Sequence, residues 1–379
     1  MQKNKGRRII TLALLFILII LCVFIVTYNF TTNQSESHRS VQTSKNVLER
    51  NLTQATTLGG NKLTESKRNK LLKLNAKLSK DGFFGSYIGL KNSDLEFSSK
   101  IGYAHVGTKD IFRLNTTYFI GEYQNAINAA ILLNLVNQNK LALSQSLEHY
   151  LPSLNIGESV TIKDLILGET GATINSGWYS QYLRTKPSNV SLKKVSLRSE
   201  STKYVSANSL ITKILVSKVS GKSYAEVVTN EMQDKLGLSN TRVVTNDDSS
   251  QVNDAVGYQY YTDTAKKVVQ GKAVDTSDIP AYNYFVRMSL VDVTLLTNDI
   301  QENKLVPAKY TKLYKRSLQN IDGFSTKDDG WVLKTETRGQ YLVIRTNNNS
   351  SKMLILTSNI ENRKVNISKL NTTLYDYLD

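Results

Sequence analysis

With 379 residues, 40% of them apolar and charges of both signs throughout, the chain can bury a large core and is not a disordered polymer. Its formal net charge of +16 favours anionic surroundings: lipid headgroups, phosphate polymers or nucleic acid. A single cysteine, Cys22, excludes a disulfide framework and a multi-thiolate metal site.

Residues 9–26 are apolar apart from Thr11, a run long enough to cross a bilayer as a helix. Lys3, Lys5, Arg7 and Arg8 precede it, which points the amino terminus to the cytoplasm and the rest of the chain outside. The run exceeds the apolar part of a cleaved signal peptide, and Val26-Thr27-Tyr28 is not a small-x-small cleavage site. The expected layout is therefore a basic cytoplasmic segment over residues 1–8, an uncleaved anchor over 9–28, a polar Ser-, Thr- and Asn-rich stalk over 29–62 and one external domain over 63–379. An external protein without disulfides suits the envelope of a bacterium with a single membrane. No nucleic-acid-binding motif is present, and that location makes nucleic acid an unexpected partner.

In the external part, a helix is expected over residues 64–78, with Leu71, Leu72, Leu74 and Leu78 on one side. Residues 83–97 and 98–106 predict a hairpin turned at Lys91-Asn92-Ser93-Asp94. The stretch 116–141 comes next. Over residues 126–136 it is apolar on nearly every face, broken only by Asn128 and Asn134, which predicts a helix covered on all sides. Phe119-Ile120-Gly121 leads into it, and Glu122 and Asn125, three apart, share a face of the first turn. Residues 144–152 end in Tyr-Leu-Pro, 161–166 predict a short helix, and 168–171 run Gly-Glu-Thr-Gly. Residues 172–203 are polar and irregular, an expected loop over the site. A second long helix is expected over 204–219 and another over 288–298, opening on Ser289 with Asp292 three residues on. Residues 331–343 and 352–359 predict adjacent strands turned at Asn347-Asn348-Asn349, and 366–378 a terminal helix.

The stretch around Phe119-Ile120-Gly121 resembles the serine β-lactamase and penicillin-binding-protein superfamily, in particular its class C β-lactamase-related serine hydrolases, where Phe-x-Ile-Gly-Ser-x-x-Lys opens the same kind of helix. Residues 220–241, Ser-Gly-Lys-Ser-Tyr through Leu-Gly-Leu-Ser-Asn-Thr, are similar to that family's Gly-Lys-Ser-Tyr…Leu-Gly-Met-x-x-Thr run. The resemblance covers roughly residues 71–379. It implies an α+β fold of the β-lactamase/transpeptidase type: an antiparallel sheet built from both chain ends, flanked by helices, with a mostly helical subdomain from the middle of the chain.

The resemblance also says what is missing. The family's serine attacks a carbonyl and its lysine, one turn later, takes the proton; here Glu122 and Asn125 stand at those positions. Tyr204-Val205-Ser206 stands where the family has Tyr-x-Asn, and Lys334-Thr335-Glu336 where it has Lys-Thr-Gly. Glu122, Asn125, Tyr204 and Ser206 are thus degenerate catalytic positions, and Lys334, Thr335, Tyr204 and Glu122 the candidate ligand-binding residues. Glu122 is either a carboxylate settled at a helix start, worth about 0.3–1 kcal/mol, or a nucleophile or base. Asn125 cannot act as a base. Glu122 and Lys334 are expected to pair across the cleft, and Glu336 with Arg338 along one strand face. One Ser-x-x-Lys string exists, at residues 191–194, inside the polar loop. His38, His105 and His149 are not grouped, and neither a metal nor an organic cofactor is expected.

Removing the nucleophile of a serine hydrolase costs on the order of a millionfold, as in subtilisin, and leaves roughly a thousandfold over water. The expected protein is a membrane-anchored extracellular pseudoenzyme that binds or scaffolds peptidoglycan, teichoic acid or another envelope protein. The alternative is an active hydrolase with displaced catalytic residues: a D-alanyl carboxypeptidase, an esterase or a β-lactamase-like enzyme.

Overall fold

The computed structural model describes residues 63–154, 156–175, 195–197, 204–244, 253–262, 268–273, 286–337, 339–360 and 364–379. The expected anchor and stalk, the Ser-x-x-Lys string at 191–194 and Arg338 lie outside these. Among the described residues, no helix is long and apolar enough to cross a membrane.

Thr64 starts helix α1 (Glu65–Lys80), its hydroxyl accepting from the Lys67 N–H. Leu71 and Leu78 are buried, but Leu72 is 47% exposed. Consecutive helical residues point about 100° apart, so Leu71 and Leu72 cannot share the narrow inner face. Strands β1 (Gly85–Lys91) and β2 (Asp94–Ile101) form the expected hairpin, and Asn92 and Ser93 at its tip have φ of 52° and 62°. β2 ends before Gly102, so the strand expected to run on to residue 106 is broken. β3 (Tyr103–His105) pairs instead with β4 (Asp110–Ile111).

β5 (Thr117–Phe119) leads through a 3₁₀ turn, Gly121–Tyr123, into the central helix α2 (Gln124–Asn137). Both α3 (Leu147–Tyr150) and α4 (Ile162–Leu167) are short; α4 opens on the reciprocal pair Thr161 and Asp164, each side chain satisfying the other's backbone N–H. Two expectations are then overturned. The loop expected from residue 172 begins as strand β6 (Ala172–Asn175), which pairs with β7 (Val195–Leu197) and β8 (Tyr204–Ser206). The helix expected from 204 starts instead at Asn208, as α5 (Asn208–Ser220). Tyr204 is therefore a strand residue opposite Asn175 rather than a helix start. α6 (Tyr224–Thr229) opens on a second reciprocal pair, Ser223 and Glu226.

After β9 (Arg242–Val243), β10 (Tyr258–Thr262), β11 (Val268–Ala273) and β12 (Val286–Ser289), helix α7 (Leu290–Gln301) starts where expected, with the Ser289 hydroxyl accepting from the Asp292 N–H. α8 (Thr311–Gln319) leads to β13 (Phe324–Lys327). The single strand expected over 331–343 is two, β14 (Gly330–Thr337) and β15 (Gln340–Asn347), folded back beside Gly339 at φ 68°. β16 (Lys352–Ser358) and the Asn366-capped α9 (Ile367–Asp376) close the chain.

The main sheet runs β13-β14-β15-β16-β1-β2, antiparallel throughout, so both ends of the domain build it. On one face Tyr87, Phe97, Leu354 and Leu356 pack with Leu71 and Leu78 of α1 and Leu370 and Leu374 of α9. Alternate residues such as Ile88, Ile344 and Ile355 turn to the other face, where α7 crosses β1 and β16. The middle of the chain supplies the helical part, in which α2 packs against α4, α5 and α8.

A polar junction fixes where α2 begins. Arg287 of β12, 4% exposed, places Nε 3.2 Å from Asp254 Oδ1 and donates from Nη2 to the carbonyls of Thr117 (2.7 Å) and Ala255 (2.8 Å). Arg242 pairs with the other Asp254 oxygen. Gln340 donates to the Ala255 carbonyl and accepts from the Phe119 N–H at 2.9 Å each, tying β5 to the edge of β15. Every charge in this junction has a partner, which a buried cluster requires.

Candidate functional site: the amino end of the central helix

Gly121 turns the chain into the helix with φ 54°. A Cβ there would lie 2.6 Å from Thr337 Oγ1 and 3.0 Å from Thr335 Oγ1, so only glycine fits both the angle and the space. Thr335 is buried and donates from Oγ1 to the Ile120 carbonyl at 3.1 Å. The Thr335 and Thr337 face of β14 thus lies directly against the helix start.

That contact decides where the neighbouring candidates point. Alternation along the strand puts Val332, Lys334 and Glu336 on the opposite face, where Val332 packs toward the α1 and α9 core. Glu336 accepts from the hydroxyl of Tyr341, its cross-strand partner, at 3.0 Å. Lys334 is exposed, and no ion pair joins it to Glu122. The expected salt bridge across the cleft is not formed. The lysine in the Lys-Thr-Glu triplet lies on the wrong strand face to reach the helix start.

Glu122 is half-buried in front of the helix, and its carboxyl is held above the ordinary range. Burial is the main cause; its own backbone N–H pulls the other way, and the carboxylates of Asp322 and Glu336 add like-charge repulsion. Among the described residues, an acid, Glu122, thus stands where the helix starts. That polarity is wrong for a centre where negative charge must grow on an attacked carbonyl oxygen.

Asn125 takes part in a hydrogen-bond chain along the helix wall. Its Oδ1 accepts from Asn128 Nδ2 at 3.4 Å and from Ser209 Oγ at 3.2 Å. Asn128 accepts from the Tyr224 hydroxyl at 2.6 Å, and Gln124 donates to that same hydroxyl at 3.2 Å. An amide oxygen has no capacity to take a proton from Ser209, so this serine is oriented but not activated.

Beside this chain opens a hollow of about 170 Å³, lined by Asn125, Asn128, Ser206, Ser209, Thr212 and Asp322 among others. Thr212 is 2% exposed and its hydroxyl has no partner among the described residues. Gly168, which opens the Gly-Glu-Thr-Gly turn, also lines the hollow. Thr170 donates to Asn208, Asn208 donates to the Gly168 carbonyl at 2.9 Å, and Glu169 is held by Arg316 and Asn320. Sequence reasoning placed Glu122, Asn125 and Ser206 near one another but missed Asn128, Ser209, Thr212 and Asp322. Asp322 sits just before Gly323, which has φ 82°, and this Asp-Gly turn ahead of a strand was the available signal.

His105 accepts from the Thr108 N–H at 3.1 Å, and His149 is exposed against the ring of Tyr150. Among the described residues no group of three or more His, Cys, Asp or Glu could hold a metal.

The fold has counterparts among known proteins. The teichoic acid D-alanine hydrolase of Staphylococcus aureus is 25% identical over 252 residues, spanning 64% of this chain and 62% of that protein; the chain thus matches about three fifths of that relative's length. The crystal structure of FmtA from Staphylococcus aureus superposes with a TM-score of 0.65 at 21% identity, covering 88% of this chain and 95% of the other. The D-amino acid amidase of Ochrobactrum anthropi superposes with a TM-score of 0.58 at 14% identity, covering 78% and 92%. At these identities the superpositions speak for the fold. The Beta-lactamase family pattern matches residues 85–338, about two thirds of the sequence, and the chain belongs to the Beta-lactamase family.

Proposed function

We propose that this chain is a non-hydrolytic, membrane-tethered module of the cell envelope that holds an amine-bearing wall polymer at the hollow beside its central helix. The observation that carries the reading is the pair of substitutions on the first helical turn: Glu122 where the family's nucleophile stands, and Asn125 engaged as a hydrogen-bond acceptor where its lysine stands. Glu122 at the helix start and Asp322 on the wall of the hollow favour a cationic group, and the hydroxyl and amide lining of the hollow favours a small polar one. A D-alanyl ester on a phosphate polymer offers both an ammonium for the mouth and a polyanion for the net charge of +12 that remains, out of +16, beyond the four basic residues before the apolar run. The name of the Staphylococcus aureus relative points to that polymer class. The tether is the apolar run 9–26 with its preceding basic residues.

The test is equilibrium binding of the full chain to D-alanylated lipoteichoic acid, with free D-alanine assayed in the same mixture. Saturable binding is expected, weakened about tenfold when the D-alanyl esters are removed beforehand, with no D-alanine released above the protein-free control. The second reading, a hydrolase with a displaced serine, draws on Ser206 and Ser209, whose residues line the same hollow. Release of D-alanine that disappears in Ser206→Ala or Ser209→Ala would establish that reading and end the first.

A further inference from the structure

Away from the cleft, a second hollow of about 200 Å³ opens between the β13–β14 hairpin, helix α8 and the carboxyl end of α7. Its aromatic wall is Phe324 and Trp331, stacked with ring centroids 5.6 Å apart and planes inclined by 26°. Both rings are only half-buried, with Leu318 and Ile300 beside them. Lys315, Gln319 and Asn348 stand around the rim and are exposed. Among the described residues, none of these three side chains, nor the Trp331 indole N–H, makes a hydrogen bond or ion pair. Elsewhere on the same rim, Gln301 is committed to the Ser350 hydroxyl at 2.8 Å.

The combination is selective in its chemistry. An aromatic plate favours a flat apolar surface. Two uncommitted carboxamides, each able to donate and accept, favour a ligand ringed with hydroxyl or amide groups. A purely aliphatic ligand would strip water from those amides and give nothing back. A pyranose ring satisfies both demands, since its C–H face is apolar while its hydroxyls radiate from the edge; Lys315 adds a cation for an acidic substituent. We infer that this hollow is a second binding site, for a sugar ring of a wall glycan, formed by Trp331, Phe324, Gln319, Asn348 and Lys315. It does not depend on what the cleft binds.

The chain has two tryptophans, Trp178 and Trp331, so the full chain carrying Trp178→Phe reports on this hollow by its emission alone. Titration with the tetramer of β-1,4-linked N-acetylglucosamine should give a saturable change in Trp331 fluorescence. The same titration in Gln319→Ala/Asn348→Ala, both exposed positions, should show affinity reduced at least tenfold. Calorimetry on the unsubstituted chain supplies the second readout, with saturable heat expected. A flat fluorescence and heat response through the millimolar range would overturn the assignment, as would unchanged affinity in the double variant.

Discussion

The junction behind the central helix and the cleft in front of it use similar residues to opposite effect. Behind, Asp254 is bracketed by Arg242 and Arg287, and the guanidinium of Arg287 also caps two backbone carbonyls and lies over the Phe119 ring at 4.4 Å. In front, Glu122 is half-buried, feels the like charge of Asp322 and Glu336, and has no ion pair among the described residues. The buried charges of the frame are paired, whereas the Glu122 carboxyl is disfavoured mainly by burial and to a lesser degree by like charge, which on the proposed reading a bound cation would relieve. Between these extremes stands Asp292 at the start of α7. One of its oxygens accepts from the Asn240 N–H and the Thr241 hydroxyl, while the other is buried without a hydrogen-bond partner.

Breaking the satisfied side should have the largest effect. Asp254→Ala leaves two guanidinium groups facing each other in a nearly dry junction, and a loss of about 3–5 kcal/mol is expected in urea unfolding. Asp292 comes next. Burial pushes its carboxyl from the ordinary 3.8 up to about 6, so the folded chain holds a proton there that the unfolded chain has released. Its contribution is therefore greatest below about pH 4, falls as pH rises toward 6, and is constant above that. The fall should approach roughly 2–3 kcal/mol, and in Asp292→Asn this part of the stability–pH profile should disappear.

Gly121→Ala forces a side chain into a positive φ and against the two threonines of β14. A loss of about 1–3 kcal/mol is expected, read as a lowered thermal midpoint. The smallest effect belongs to the unsatisfied side and has the opposite sign. Glu122→Gln removes a charge disfavoured by burial and, to a lesser degree, by neighbouring carboxylates, and should stabilise the fold at pH 7 by a few tenths to about 1 kcal/mol. Because the folded pKa of Glu122 is raised, this gain should vanish as acid protonates it. A destabilised Glu122→Gln would mean that a cation overlooked in the mouth compensates the charge.

Much of the frame was legible because its signals are local. Thr64, Thr161 with Asp164, and Ser289 with Asp292 mark helix starts by side chains within three residues of each other. Asn92-Ser93 marks a hairpin in the same way. What sequence reasoning missed depends on distant partners. β8 is three residues long and is a strand only because β6 pairs with it, so no periodicity could announce it. The fold-back beside Gly339 was absorbed into one apolar strand, although a glycine stood at the turn. The cleft suffered most, since faces alternate along a strand and Lys334, one residue from Thr335, points away from the helix start. Glu122 and Asn125 could be placed on one helical face from their spacing alone. The repulsion from Asp322, two hundred residues further along, could not.

The central claim of the proposed function is that the helix start, with Glu122 and Asn125 in place of a serine and a lysine, forms no acyl-enzyme. Incubating the full chain with a fluorescent penicillin, denaturing it and measuring retained fluorescence per chain tests this directly. No covalent label above a heat-denatured control is expected. Stoichiometric labelling would show that an activated nucleophile sits in the cleft and would contradict the account.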